Sequence, residues 1–449
     1  MITKLLHQIW NERRENAWLF FELFIVSLFV WLAIDPVFNL VSRNSVHKGY
    51  DCTNVYNFYF SEHHHKSPKY KAEYDNNDGI KESYMQMLKL LESLPEIENY
   101  YIGHGDGPGE VAKPIYTINT VMKDESEQAE SNNVTAAFCH SVEIGNSDDI
   151  FKVLRIKDSL KRDVDTSKHK GKDAGAYITK SLATELFGSE EPVGKNIVSV
   201  KRYDDYALNE KYTVLGVLDD IQQHLYHDTE NVIVITYRLN RFDRYRLGNL
   251  SIKFRLKDGV NATSFEKKFR EEIMPQLTFG NFYCSHFLSY EQVLTDIEHG
   301  YGITNAFRQN IVLSSFALLC ALLGIVGTFW VRAVARRQEI GIMQSIGATR
   351  SAIVRQFAAE ALMLTTVAFM LALPLLMHKV YVNGFAEPAA EIIKTPISAT
   401  AAWRNRPIPH FIIVSAISYL FIVAISVIGA VIPTFATVRK SPADALRDE

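Results

Sequence analysis

IVLSSFALLCALLGIVGTFWV, residues 311–331, contains no Asp, Glu, Lys, Arg or His. A run of this length matches the ~20 apolar residues with which an α-helix crosses a hydrocarbon layer ~30 Å thick. Three other stretches are apolar runs of comparable length: AWLFFELFIVSLFVWLAI (17–34), FAAEALMLTTVAFMLALPLLM (357–377) and HFIIVSAISYLFIVAISVIGAVIPT (410–434). The fold class expected is therefore an integral membrane α-helical bundle of four transmembrane helices, one before and three after a large polar insertion. Whole-chain averages hide this. A net charge of -3 and 47% hydrophobic residues describe an ordinary globular chain, and they call for no nucleic-acid partner.

Glu22 interrupts the first block. A carboxylate at mid-span costs about +3 kcal/mol, against a dozen Leu, Ile, Val and Phe at roughly -0.3 to -0.6 each, so the segment still inserts. The run is long for a signal-peptide core and ends in Asp35-Pro36 rather than a small-x-small cleavage site, which makes it a retained anchor. Orientation follows from Lys and Arg in the short flanks, since cationic side chains resist translocation. Lys4, Arg13 and Arg14 precede span one; Arg332, Arg336, Arg337, Arg350 and Arg355 lie between spans two and three; Arg439, Lys440 and Arg447 close the chain. These three segments are expected in the cytoplasm. The segment carrying Lys379, Lys394, Arg404 and Arg406 is placed outside by parity, as is the long insertion.

The expected division is a cytoplasmic N-terminal amphipathic segment (1–16) with Ile9 and Trp10 at the membrane surface, span one (17–34), an α+β domain (35–308), span two (309–331), a cytoplasmic segment (332–356), span three (357–377), an outer loop (378–409), span four (410–434) and a cytoplasmic tail (435–449). Within the large domain, DGIKESYMQMLKLLESLP (78–95) aligns Ile80, Tyr84, Met87, Leu88, Leu91 and Leu94 on one helical stripe ended by Pro95. ENYYIG, KYTVLGVLDD and NVIVITYRL have strand character, and TSFEKKFREEIMPQL has that of a helix. Helices and strands alternate without a clean Rossmann pattern.

Catalytic signatures are weak. GSEEPVGKN (188–196) has five residues between its glycines and Asn196 where a phosphate-binding loop needs Ser or Thr, and its glutamates would repel phosphate. GHGDGPG (103–109) precedes no convincing helix and reads as a flexible loop. His63, His64 and His65 lack spaced carboxylate or cysteine partners and read as a solvated loop. The four cysteines are too few for a disulfide scaffold, and the three outside the spans, Cys52, Cys139 and Cys284, leave at least one free thiol. No catalytic residue, cofactor site or metal site is assigned, and the chain reads as non-enzymatic.

RRQEIGIMQSIGATR (336–350) joins spans two and three. Val331, Ala335, Ile342 and Ile346 fall on one helical face opposite Arg337 and Gln344, the pattern of a helix lying against apolar material. Gly347 is a helix stop, and Thr349 or Ser351 a cap for the next helix. A membrane-surface helix with snorkelling arginines fits the same pattern. Gly341 costs about 1 kcal/mol relative to Ala within a helix, which points to close backbone contact. Glu22 and Glu360 are carboxylates in or near spans, suited to interhelical hydrogen bonds; Pro374 is a kink site; Gly324, Gly327 and Gly429 suit close helix packing.

RRQEIGIMQSIGATRSAIVRQFAAEALML resembles the signature of MacB/FtsX-like ABC transporter permeases, with its basic pair, Glu-Ile-Gly, second glycine and later Glu at the start of the next span. The tail RKSPADALRDE resembles the family's Pro-x-x-Ala-Leu-Arg ending. AYITKSLATELFGSEEPVGKNIVSVKRYDDYALNEKYTVLGVLDD (176–220) is similar to the MacB periplasmic core domain. The resemblance implies a non-catalytic permease subunit in the inner membrane whose Arg336, Arg337, Glu339, Ile340, Gly341, Gly347 and Arg350 couple to an ABC ATPase. It implies a second permease copy or paralogue, a possible periplasmic adaptor and outer-membrane duct, and transmission of force to the outer domain. MacB itself carries a fused ATPase domain; here only residues 1–16 precede span one, so ATP and Mg are expected in a separate ATPase subunit. Export of peptides, drugs or lipid-like molecules is the leading expectation, with an FtsX-like regulator of a cell-wall hydrolase and a lipoprotein-release permease as alternatives.

Overall fold

The computed structural model describes residues 13–44, 47–104, 107–110, 118–123, 134–144, 149–167, 174–202, 207–223, 229–239, 250–300, 302–385 and 407–439. The expected N-terminal surface helix around Ile9 and Trp10, Lys4, the loop cations Lys394, Arg404 and Arg406, and the C-terminal motif at 440–449 lie outside these residues. In chain order the elements are α1 (Arg13–Asn44), β1 (Val55–Glu62), α2 (Asn77–Glu92), β2 (Ile97–His104), β3 (Ile118–Lys123), β4 (Val134–Glu143), α3 (Ile150–Val153), β5 (Ala174–Thr179), α4 (Lys180–Phe187), β6 (Asn196–Arg202), β7 (Ala207–Leu218), β8 (Val232–Arg238), β9 (Leu250–Leu256) and α5 (Ala262–Lys268). Then come β10 (Thr278–Phe279), β11 (Phe282–Ser289), α6 (Tyr290–Gly300), α7 (Ile303–Ala335), α8 (Arg337–Ser345), α9 (Arg350–Asn383) and α10 (Pro407–Val438). They form two units: one holds Met1–Ser42, Thr304–Ala390 and Arg406–Glu449, the other Arg43–Ile303 and Glu391–Asn405.

The first unit is helical. Four segments, Ala17–Asn39, Thr304–Ala335, Arg350–Asn383 and Ile408–Val438, are long and apolar enough to cross a membrane. Leu23, Ile325, Ala368 and Ile422 meet in its core, while Phe316, Leu323, Met370 and Leu420 face outward, as a bundle solvated by hydrocarbon requires. Helix α1 runs past residue 34, where span one is expected to end. It continues through Pro36 to Asn44, although proline removes an amide donor and crowds the carbonyl four residues back. Asp35, the residue before that proline, finds partners inside the bundle: its Oδ1 lies 2.8 Å from His410 Nε2 and its Oδ2 3.9 Å from Lys379 Nζ, with Asp35 and His410 fully buried. Of the glycines expected to pack helices, Gly429 does so, since a Cβ there would stand 3.3 Å from Val326 Cα, whereas Gly327 has nothing within 4 Å.

The second unit is built on one sheet ordered β10-β11-β1-β9-β2-β4-β3-β6-β7-β5-β8, with a further pairing of β4 to β8. That pairing closes β4, β3, β6, β7, β5 and β8 into a ring, so these strands present no open edge. Apart from β4–β8 and β5–β7, the neighbours run antiparallel, hence no Rossmann pattern in the sequence. Helix α4 lays Leu182, Leu186 and Phe187 on ring residues Val121, Ile197, Val214 and Ile233. The five remaining strands pack on the stripe of α2: Ile80, Tyr84, Met87, Leu88 and Leu91 are buried with Phe58, Phe254 and Phe287. Asn76 caps α2 by accepting from Gly79 N at 2.8 Å. The expected second helix of the domain narrows to α5, followed by a π-turn over Phe269–Ile273 and a 3₁₀ turn over Met274–Gln276 with Pro275 in its first positions.

Candidate functional site

The segment between spans two and three folds as a hairpin of two helices broken at Arg336. Helix α7 ends at Ala335, and Arg336 takes φ -93° and ψ 19° before α8 begins. Charge holds this break in place. The Arg336 guanidinium donates to both oxygens of Glu339, by Nε and by Nη2 at 2.7 Å, and through Nη1 to Glu360 Oε2 at 2.8 Å. Arg332, one turn earlier, donates to Glu360 Oε1. The Arg336 guanidinium also lies 4.7 Å over the Phe357 ring, a cation–π contact that its planarity favours. Glu360, buried on α9, thus ties the end of α7 and the start of α8 to span three.

The far end of α8 is closed by backbone chemistry. Gly347 adopts φ +96°, its N–H donates to Gln344 O at 3.0 Å, and Ala348 N donates to Met343 O at 2.9 Å. This is a Schellman stop, which glycine alone enters without strain. Thr349 then caps α9, accepting from Ala352 N. Both termini stand where the sequence places them.

The buried face of α8 is not the one its spacing suggests. Ile340 and Gly341 are buried, Ile340 with Ile353, Phe357 and Val438, and Gln344 Nε2 donates to Val438 O at 2.9 Å. Ile342 is 51% and Ile346 81% exposed, and Val331 and Ala335 also face out. The expected stripe fails because α7 and α8 are separate helices, so a periodicity counted through residue 336 crosses a change of axis. Arg350 is exposed and Arg337 half-buried. The predicted site residues are therefore gathered into one hairpin with two roles: Arg336, Glu339, Ile340 and Gly341 fasten its base, and Gly347 and Arg350 shape its tip beside two exposed isoleucines.

Glu22 lies on α1, in a groove that Arg332 and Arg336 also line. Thr328 of α7 donates its hydroxyl to this carboxylate, 2.8 Å from Oε2 and 3.0 Å from Oε1, the interhelical bond that offsets part of its cost in an apolar span. It lies in a groove with Trp18, Leu323, Gly324 and Gly327. Sequence reading missed the Asp35, His410 and Lys379 cluster, beside which Trp31 donates through Nε1 to Ser415 Oγ at 3.1 Å; the available signal was an ionisable residue at or near one end of three different apolar runs.

The motifs set aside from the sequence have structural uses. In GSEEPVGKN, Lys195 pairs with Glu190 and lies 5.4 Å over the Phe187 ring, so the lysine of this would-be phosphate loop serves its own turn. His63 stacks on Tyr283 at 4.6 Å. The four cysteines form no disulfide; Cys139 and Cys284 are buried, and the Cys139 thiol donates to Gln223 Oε1 at 3.1 Å. The glycine-rich loop is a correction: residues 105 and 106 lie outside the description, but Gly107, Pro108, Gly109 and Glu110 are buried and bonded rather than loose.

Comparison with known proteins matches residues 311–442 to the FtsX-like permease C-terminal domain and residues 104–272 to the MacB-like periplasmic core domain. The chain is 24% identical over 276 residues to the uncharacterized ABC transporter permease YknZ of Bacillus subtilis, covering 61% of each. It is 25% identical over 193 residues to the macrolide export ATP-binding/permease protein MacB of Aggregatibacter actinomycetemcomitans, covering 42% of this chain and 27% of that protein. The crystal structure of the periplasmic region of MacB from Actinobacillus actinomycetemcomitans aligns with a TM-score of 0.30 at 13% identity, covering 57% of this chain and 98% of that one. The chain therefore carries a MacB-like periplasmic core domain followed by an FtsX-like permease C-terminal domain, with four membrane-length helices, and in this it is similar to the MacB/FtsX-like ABC transporter permeases.

Proposed function

We propose that this chain is the non-catalytic permease subunit of an inner-membrane ABC exporter that works by transmitting force. The hairpin Arg336–Arg350 faces the cytoplasm and docks a separate ATPase subunit, which holds the ATP and Mg; two permease subunits pair; and the β-rich unit outside the membrane changes shape to drive efflux of peptides, drugs or lipid-like molecules, with a periplasmic adaptor and outer-membrane duct as further partners. The observation that carries the reading is the division of labour within the hairpin. Its base is clamped to two spans by Arg332, Arg336, Glu339 and Glu360, while its tip exposes Ile342, Ile346 and Arg350. Exposed isoleucines beside a cation suit a protein partner rather than water. A push on such a tip passes through ion pairs to α7 and α9 instead of being lost in a flexible loop. The scarcity of charged side chains in the spans supports transmission over a polar tunnel through the bilayer.

The test replaces Ile346 by Asp and, separately, Gly347 by Pro, and purifies the chain from native membranes with whatever ATPase accompanies it. Each variant is expected to insert normally but to lose the ATPase or its substrate-stimulated activity. Wild-type recovery of a fully stimulated ATPase with both variants refutes the docking assignment.

A further inference from the structure

The buried stretch Gly107–Glu110 has no part in the reading above. A loop usually runs over the surface because buried backbone groups need partners; here partners are supplied one by one. Gly109 N donates to Gln223 O at 2.9 Å, Gln223 Nε2 to Gly107 O at 3.2 Å, and the Tyr290 hydroxyl to Pro108 O at 2.8 Å. Glu110 accepts from Gly107 N at 2.6 Å and from Asn57 Nδ2 at 3.2 Å, and pairs with Lys253 at 3.2 Å, both side chains being almost wholly buried. Gly109 has φ +79°, and a Cβ on it would stand 2.3 Å from the Tyr50 hydroxyl; a Cβ on Gly107 would stand 2.7 Å from that of Tyr290.

The positions of these partners in the chain give the loop its meaning. Tyr50 lies in the segment that follows α1, and Tyr290 opens α6, the helix that precedes α7. The same segment after α1 is bonded to the Gln223 turn: Gln222 N donates to Lys48 O at 2.9 Å, and Gly49, at φ +78°, presses on the Asp220 carbonyl. An unbroken series of contacts therefore runs from Lys48 and Gly49 through Asp220–Gln223 to Gly107–Gly109 and on to Tyr290. Lys253 of β9 and Asn57 of β1 join that series to the sheet.

We infer that Gly107–Glu110 is the junction at which the two segments bordering the membrane helices are fastened to each other and to the sheet, with Tyr290, Gln223 and Glu110 as its positioning residues. A displacement of one segment relative to the other strains these directional bonds and so reaches β1, β2 and β9. The inference rests on the force-transmission reading for its purpose and on the bonds alone for its geometry. Full-length Tyr290→Phe and Glu110→Gln, purified in detergent without any ATPase, are compared with wild type by hydrogen–deuterium exchange. Tyr177→Phe, which removes a comparable hydroxyl bond to Asp165 O at 3.0 Å, is the control for general loosening. Tyr290→Phe is expected to lower amide protection at least tenfold at Gly109, at residues 48–51 and in the first turn of α6 together, leaving α2 and β11 unchanged, whereas Tyr177→Phe leaves 48–51 alone. A loss confined to residues 107–110, or an equal response at 48–51 to Tyr177→Phe, overturns the junction. Because no ATPase is present, a failed docking test leaves this result standing, and the reverse holds too.

Discussion

Replacing Glu360 by Gln tests the clamp at the base of the hairpin. Glu360 is 4% exposed and faces the guanidiniums of Arg332 and Arg336, whose side chains are 17% and 12% exposed. Severing a buried ion pair from one side costs about 3–5 kcal/mol, because the remaining charge stays desolvated. Arg336 keeps both oxygens of Glu339, so the loss falls chiefly on Arg332, and the cost expected is at the low end, about 3 kcal/mol. Glu339→Gln differs in both respects. Its side chain is 34% exposed and Arg336 would keep Glu360, so about 1 kcal/mol or less is expected. The double variant Arg332→Met with Glu360→Leu, which removes charge from both sides, should return to within about 1 kcal/mol of wild type. Unfolding by SDS in dodecylmaltoside micelles, followed by tryptophan fluorescence, ranks the three variants. If Glu360→Gln costs no more than Glu339→Gln, the carboxylate on α9 is not what holds the break between α7 and α8.

Three further outcomes follow from local geometry. Gly347→Ala places a side chain at φ +96°, which costs about 1–2 kcal/mol; since the Schellman bonds persist, it should lower the stability of the hairpin, read by amide exchange at Ala348, without displacing its buried residues. Glu96 is held below the usual glutamate range by the hydrogen bond from Lys268, only partly offset by burial. A lowered folded pKa adds stability above the unfolded value and loses it as pH falls through the folded one. The advantage of wild type over Lys268→Met in thermal unfolding should therefore hold at neutral pH and be lost as the pH falls below the usual glutamate range, and an advantage that grows on acidification would contradict the pairing. Burial pushes the Cys284 thiol up to about 12, so iodoacetamide at about pH 8, which needs the thiolate, should leave Cys284 unmodified until the chain is denatured. Rapid native labelling, located by peptide mass mapping, would place that strand edge in solvent.

The sequence by itself determined the four membrane-length helices, three strands (β2, β7 and β8) and the helix α2 of the β-rich unit, and the two ends of the hairpin at Gly347 and Thr349. These are short-range properties: hydrophobic run length, period, a residue that tolerates positive φ, and a side chain that accepts from the next turn. Where the sequence misled, the deciding partner lay far along the chain. Asp35-Pro36 looks like the end of a span until His410 and Lys379 come alongside; the stripe Val331, Ala335, Ile342 and Ile346 looks buried until Glu360 fixes a break at Arg336; GHGDGPG looks loose until Gln223, Lys253 and Tyr290 enclose its second half. Local chemistry fixes where an element starts and stops, but whether a charge or an open backbone group is tolerated in the interior depends on a distant residue satisfying it, and only tertiary structure brings that residue near.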